Sequence, residues 1–198
     1  MNTPKYSNTL KLVMLALLTS IVVVLQFFGA LIRFGPFSVS LVLIPIAIGA
    51  ALIGTYAGGW LGLAFGFVVL MSGDANAFLA INPAATIAVV LLKGMLAGLA
   101  SGVVYRIFEK KNKTAAAFIM AAVCPIVNTG VFLAGVYVFF LPTVTEWGAA
   151  AGYANVTAFI FIGMVGVNIL FELFLNLLLS PVIVRLIQYG LELLGNRQ

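Results

Sequence analysis

Charge is what this sequence has least of: Asp, Glu, Lys and Arg make up 8% of its 198 residues, where a soluble domain carries about a quarter. A water-facing surface cannot be assembled from so few charges, so a soluble globular protein is excluded. Histidine is absent, which removes the commonest catalytic base and metal ligand and disfavours an intramembrane metalloprotease. The single cysteine, Cys124, cannot close an internal disulfide and says little about redox compartment. No Walker sequence, GxGxxG fingerprint or metal-ligand spacing occurs. No paired spacing suited to a serine or aspartate mechanism is found either. The expectation is a non-enzyme with no metal and no cofactor of its own.

What is present is apolar. Hydrophobic residues make up 64% of the chain, and a membrane-spanning helix needs about 20 of them in a row. Six such spans and short loops use up the length and leave no room for a nucleotide-binding or soluble catalytic domain. The expected organisation is therefore one integral membrane domain over 1–198, all-α, with spans near 10–32, 37–53, 60–71, 84–108, 115–141 and 156–180. The third is short for a crossing, and Gly54 to Gly59 before it reads as a tight connection. Real loops are expected over Ser72 to Pro83 and over Pro142 to Tyr153. Lys5 and Lys11 precede the first run, which is too long for a signal segment and lacks a cleavage site.

The formal charge of +5 belongs to cytoplasmic loops rather than to nucleic-acid binding. With six spans, one side collects Lys5, Lys11, Arg106, Lys110, Lys111, Lys113, Arg185 and Arg197, and the other only Arg33. That split places both termini in the cytoplasm and the loops around Asp74 and Glu146 outside.

The polar groups left between these ends are few. Lys93 lies 13 positions before Arg106, and Glu172 lies 13 before Arg185. At about 1.5 Å per residue, both sit roughly 20 Å from an inner-edge arginine. Charges at that depth are costly and mark a functional site by default. A mutual Lys93–Glu172 pair that merely locks two helices is the competing reading. Asn168, Glu172 and Asn176 share one helix face, which must meet protein or water rather than lipid. Pro125 lacks an amide donor, and Asn128 and Thr129 follow within a turn. Such a kink either opens a polar pocket or is simply repaired by its neighbours. Asn82-Pro83 marks a turn and a helix start, with Thr86 on roughly the face of Lys93. Phe78, Trp147 and Tyr153 on the outer loops either cover a ligand or anchor the interface. Gly54, Gly58, Gly62 and Gly66, and Gly94, Gly98 and Gly102, recur at four-residue spacing and point to close helix packing.

Several stretches carry a family resemblance: Leu43-Ile44-Pro45-Ile46-Ala47-Ile48-Gly49-Ala50, Asn82-Pro83 through Lys93-Gly94, Cys124-Pro125 through Asn128-Thr129-Gly130, and Asn168 through Glu172. Together with six short spans and Gly-rich helices, the chain resembles the substrate-binding S components of energy-coupling-factor (ECF) transporters, of the vitamin-uptake type. The resemblance implies an S-component-like bundle that binds a small water-soluble vitamin or precursor near its outer half. Lys93, Asn128, Asn168 and Glu172 would form the substrate site, beneath loops that contribute Asn82 and Trp147. It also implies partners: a transmembrane T subunit and two cytoplasmic ATPases that use ATP, in a bacterial cell membrane. The family's Ala-x-x-x-Ala docking patch corresponds to Ala16 and Ser20, with serine in the second position. The alternative is a non-transporting membrane scaffold of the cell-wall assembly type, which would need no buried charged pocket.

Overall fold

The computed structural model describes residues 8–30, 33–34, 37–38 and 40–195. Lys5 and Arg197 of the expected inner cluster lie outside these residues. Among the described residues the chain is helical apart from a two-residue antiparallel pairing of Arg33–Phe34 with Phe37–Ser38. The helices are α1 (Asn8–Gly29), α2 (Leu43–Leu52), α3 (Thr55–Ser72), α4 (Asn76–Leu79), α5 (Pro83–Phe108), α6 (Lys113–Gly135), α7 (Leu141–Ala150), α8 (Val156–Ala158) and α9 (Gly166–Gly195). Wider π-type turns, Val136–Phe140 and Phe159–Met164, join α6 to α7 and follow α8. The second closes with Val165 N donating to Ile160 O, five residues back, at 3.1 Å, and regular winding resumes where Ile169 N donates to Val165 O at 2.8 Å.

Among the described residues, five helical stretches are long and apolar enough to cross a membrane: Asn8–Gly29, Thr55–Ser72, Pro83–Phe108, Lys113–Ala150 and Val156–Leu179. The short member of the bundle is α2, with 10 residues, and not the third segment, which has 18. The expected six-residue connection before that third segment shrinks to Gly54, whose φ of 139° no other residue adopts readily. Likewise, Leu141–Ala150 is helix where a loop was expected. Pro142 occupies its first turn, where a missing amide costs nothing, and Val144 and Gly148 are buried.

Local chemistry explains the helix starts. Asn82, Asn112 and Asn155 each cap the helix that follows. Their side-chain oxygens accept from Ala85 N (3.1 Å), Ala115 N (3.0 Å) and Ala158 N (2.8 Å), satisfying amides that have no intrahelical partner. At the other end of α3, Gly73 takes φ 85°, a left-handed stop that turns the chain towards α4.

The glycine series pack against each other. A methyl built on Gly62 would overlap the carbonyl oxygen of Gly94, and one on Gly98 would overlap that of Gly58. α3 and α5 thus meet backbone to backbone, the contact that replaces hydrophobic association in lipid. α2 sits inside the bundle, with Leu43, Ile46 and Ala47 wholly buried. Large apolar side chains face outward on the long helices, among them Leu12, Leu17, Phe67, Ile107 and Leu170. Such a surface suits lipid and not water.

Candidate functional site

Six helices converge on one cavity of about 800 Å³, counted out to its open mouth. α5 contributes Lys93 and Thr86. α6 contributes Asn128 and Thr129, just past Pro125. α9 contributes Asn168 and Glu172, one turn apart. Gln26 comes from α1 and Phe65 from α3. Asp74 stands on the turn before α4, and Ser40 on the segment before α2. The seam of glycines is what lets α5 carry Lys93 so close to α3. Lys93 Nζ lies 5.6 Å from the Phe65 ring centroid and 5.5 Å from that of Phe132, within range of a cation–π attraction.

Glu172 is 5% exposed. Its Oε1 accepts from the backbone amide of Ser40 at 2.9 Å. This tie holds the start of α2 against α9. Among the described residues Lys93 forms neither a hydrogen bond nor an ion pair, so the locked Lys93–Glu172 pair is absent. The two charges share one cavity with Asp74. Asp74 is held from α1, with Gln26 Nε2 donating to its Oδ2 at 2.7 Å and the Ser72 hydroxyl at 3.5 Å. The amide oxygens of Gln26 and Asn128 are buried and have no hydrogen-bond partner among the described residues. Each such orphan costs roughly 1–3 kcal/mol, a penalty that a donor brought into the cavity would relieve.

Over this polar interior lies an aromatic cover. Phe78 of α4 meets Phe140 edge-on at 4.9 Å, Trp147 at 5.5 Å and Phe132 at 5.8 Å. Phe78, Phe132 and Phe140 line the cavity, and Trp147 stands behind Phe78 without lining it. Asn82 does not reach the cavity either; it is exposed and occupied as the cap of α5. Asn176, on the same stripe as Glu172, lies outside the lining. Its Nδ2 donates to the Glu172 carbonyl oxygen at 2.8 Å.

Ala16 and Ser20 are both exposed on one flank of α1. The Ser20 hydroxyl donates to the Ala16 carbonyl oxygen at 3.0 Å, which folds it against its own helix and keeps the flank flat. Beside it, Trp60 Nε1 donates to Thr19 Oγ1 at 3.3 Å.

Four of the six sequence-derived substrate residues therefore meet around one cavity: Lys93, Asn128, Asn168 and Glu172. The residues that sequence reasoning missed are Gln26, Ser40 and the rings of Phe65, Phe132 and Phe140. Gln26 carried a usable signal, since it is an amide in the middle of an otherwise apolar run. The phenylalanines carried none, because rings facing lipid and rings facing a ligand look alike in sequence. Chemically, the site offers a cation, two carboxylates, amides and ring faces in one partly open cavity. Among the described residues no group of three or more His, Cys, Asp or Glu side chains could hold a metal ion.

Comparison with known proteins bears on the family and the fold. The family described as "ECF transporter, substrate-specific component" matches residues 10–184. A solved structure of ThiT from Listeria monocytogenes has the same fold, with a TM-score of 0.67 and 21% sequence identity over 94% of this chain and 97% of that one. No curated protein matches.

Proposed function

The chain belongs to the family of ECF transporter substrate-specific components, and from that premise we propose that it captures a small water-soluble vitamin or vitamin precursor for import across a bacterial cell membrane. The observation that carries this reading is the cavity itself. Half-buried Lys93 and buried Glu172 line one cavity without pairing directly, beside amide oxygens that lack donors among the described residues. Packing alone would pair or remove such groups, because unpaired charge at that depth costs several kcal/mol. A non-transporting scaffold has no use for them. In this reading Lys93, Asn128, Asn168 and Glu172 bind the solute, joined by Gln26. Phe78, backed by Trp147, closes over it.

The whole chain would act as one membrane domain. The lysine and arginine distribution supports six crossings with both termini inside, α2 being the short one. Energy would come from outside the chain: a transmembrane T subunit docking on the flat flank of Ala16 and Ser20, and two ATPases that hydrolyse ATP. Small residues there allow the close helix approach on which association in lipid depends.

The test is binding. The protein purified in detergent is expected to carry or bind a small molecule, and Lys93→Ala is expected to weaken that binding at least tenfold, about 1.4 kcal/mol. Unchanged affinity in Lys93→Ala would remove Lys93 from the site.

A further inference from the structure

We propose that the solute is an uncharged, planar heterocycle bearing both a carbonyl-type acceptor and N–H donors, as in a lactam or an aminopyrimidinone. This rests on reading the cavity as the ligand site, and it is decided by the balance of charge inside.

Among the described lining residues there is one cation, Lys93, and there are two carboxylates, Asp74 and Glu172. With both carboxylates ionised the wall carries a net negative charge; with a proton on Glu172 it is neutral. In neither state is there positive charge to spare for an anion. An anionic group brought to Lys93 would also face Glu172 and Asp74, in an interior where charges are weakly screened.

A cation fares no better. Both carboxylates are already engaged by protein donors, Asp74 by Gln26 and Ser72, Glu172 by Ser40. The charged group without a hydrogen-bond partner is the Lys93 ammonium, which would repel a second cation. The electrostatic demand left over is for the negative end of a dipole. A ring carbonyl or ring nitrogen meets it, keeping a hydrogen bond to a charged donor without adding net charge.

The neutral groups set the opposite polarity. The buried oxygens of Gln26 and Asn128 call for N–H or O–H donors. The flat shape follows from the rings of Phe65, Phe78, Phe132 and Phe140 in the wall, which prefer offset or edge contact with another ring. A conjugated ring with a carbonyl and an adjacent N–H supplies all three features within a few atoms.

The experiment uses the full-length protein, stripped of any co-purified small molecule. The probe is the small-molecule extract of a rich growth medium, separated at pH 7 on anion and cation exchangers into anionic, cationic and neutral fractions. Thermal stabilisation by each fraction is measured, and the retained compound is identified by mass spectrometry and ultraviolet absorbance. The neutral fraction is expected to stabilise the protein, and the retained compound to absorb in the near ultraviolet. Its dissociation constant is expected to rise at least tenfold in Lys93→Ala. A retained compound that is anionic, cationic, zwitterionic or lacks a conjugated ring would overturn the inference while leaving a substrate-binding subunit. If no fraction stabilises the protein and nothing co-purifies, the inference falls together with the function on which it rests.

Discussion

Replacing Gly62 with alanine tests the seam on which the cavity depends. The new methyl would overlap the Gly94 carbonyl oxygen, and it would also crowd the Gly94 carbonyl carbon and the Met95 amide nitrogen. All three are backbone atoms, so no flexible side chain can move aside, and α3 and α5 must separate. Overpacking of this kind costs about 1–3 kcal/mol, set against a gain of up to about 1 kcal/mol from the better helix propensity of alanine. With the full gain the net loss is about 0–2 kcal/mol, or up to roughly 8 °C in unfolding midpoint for a chain of this size. Gly130→Ala is the control, since nothing lies within 4 Å of a methyl there. It should hold or raise the midpoint, by roughly 0.4–1 kcal/mol. The assay is thermal unfolding in detergent at one scan rate, followed by the fluorescence of Trp60 and Trp147. Because Gly94 adjoins Lys93, ligand affinity should fall in Gly62→Ala as well. Equal midpoints for the two variants would refute a backbone-to-backbone seam.

Three further outcomes follow from the site and its surroundings. Asn82→Ala removes the α5 cap and should cost about 1 kcal/mol of stability with ligand affinity held within about twofold. A large loss of affinity without loss of stability would return Asn82 to the site. Gln26→Leu and Asp74→Asn, combined in a double-mutant cycle on stability, should show a coupling of roughly 1.5–3 kcal/mol for the charged hydrogen bond between them; strict additivity would show that the tie contributes nothing. Ala16→Leu and Ser20→Leu should preserve binding by the purified protein and abolish uptake in cells, and normal uptake with both changes would move the T-subunit contact elsewhere.

The polar stripe on α9 and the lysine of α5 were legible in the sequence because charge and amide are rare between so many apolar neighbours. Periodicity put Asn168 and Glu172 on one face, and the family resemblance added Lys93 and Asn128 to them; all four line one cavity. The glycine series were legible for the same reason, since only close packing gives small residues at four-residue spacing a purpose in lipid. Hydropathy failed on α2 and α3. A continuous apolar stretch shows no boundary, and glycines at 58 and 59 read as loop until α5 supplies their packing partner. It failed again on α7, whose Thr and Glu residues resemble a loop while Val144 and Gly148 are buried. Ser40 could not have been found at all. Its role lies in a backbone amide reaching Glu172 across 132 positions, and no local pattern announces such a contact.

One of these misjudged elements has a consequence for how the protein is made. At ten residues, α2 is about 15 Å long, half the thickness of a bilayer's hydrocarbon core, and it lies enclosed by α1, α3, α5, α6 and α9. Lipid alone gives so short a segment no secure resting place during biogenesis. It settles only once the last helix, α9, has emerged and closed around it. Its leading edge brings Ser40 to Glu172, so the capacity to recognise a solute arrives at the end of synthesis, and a truncated chain lacking α9 is left with neither.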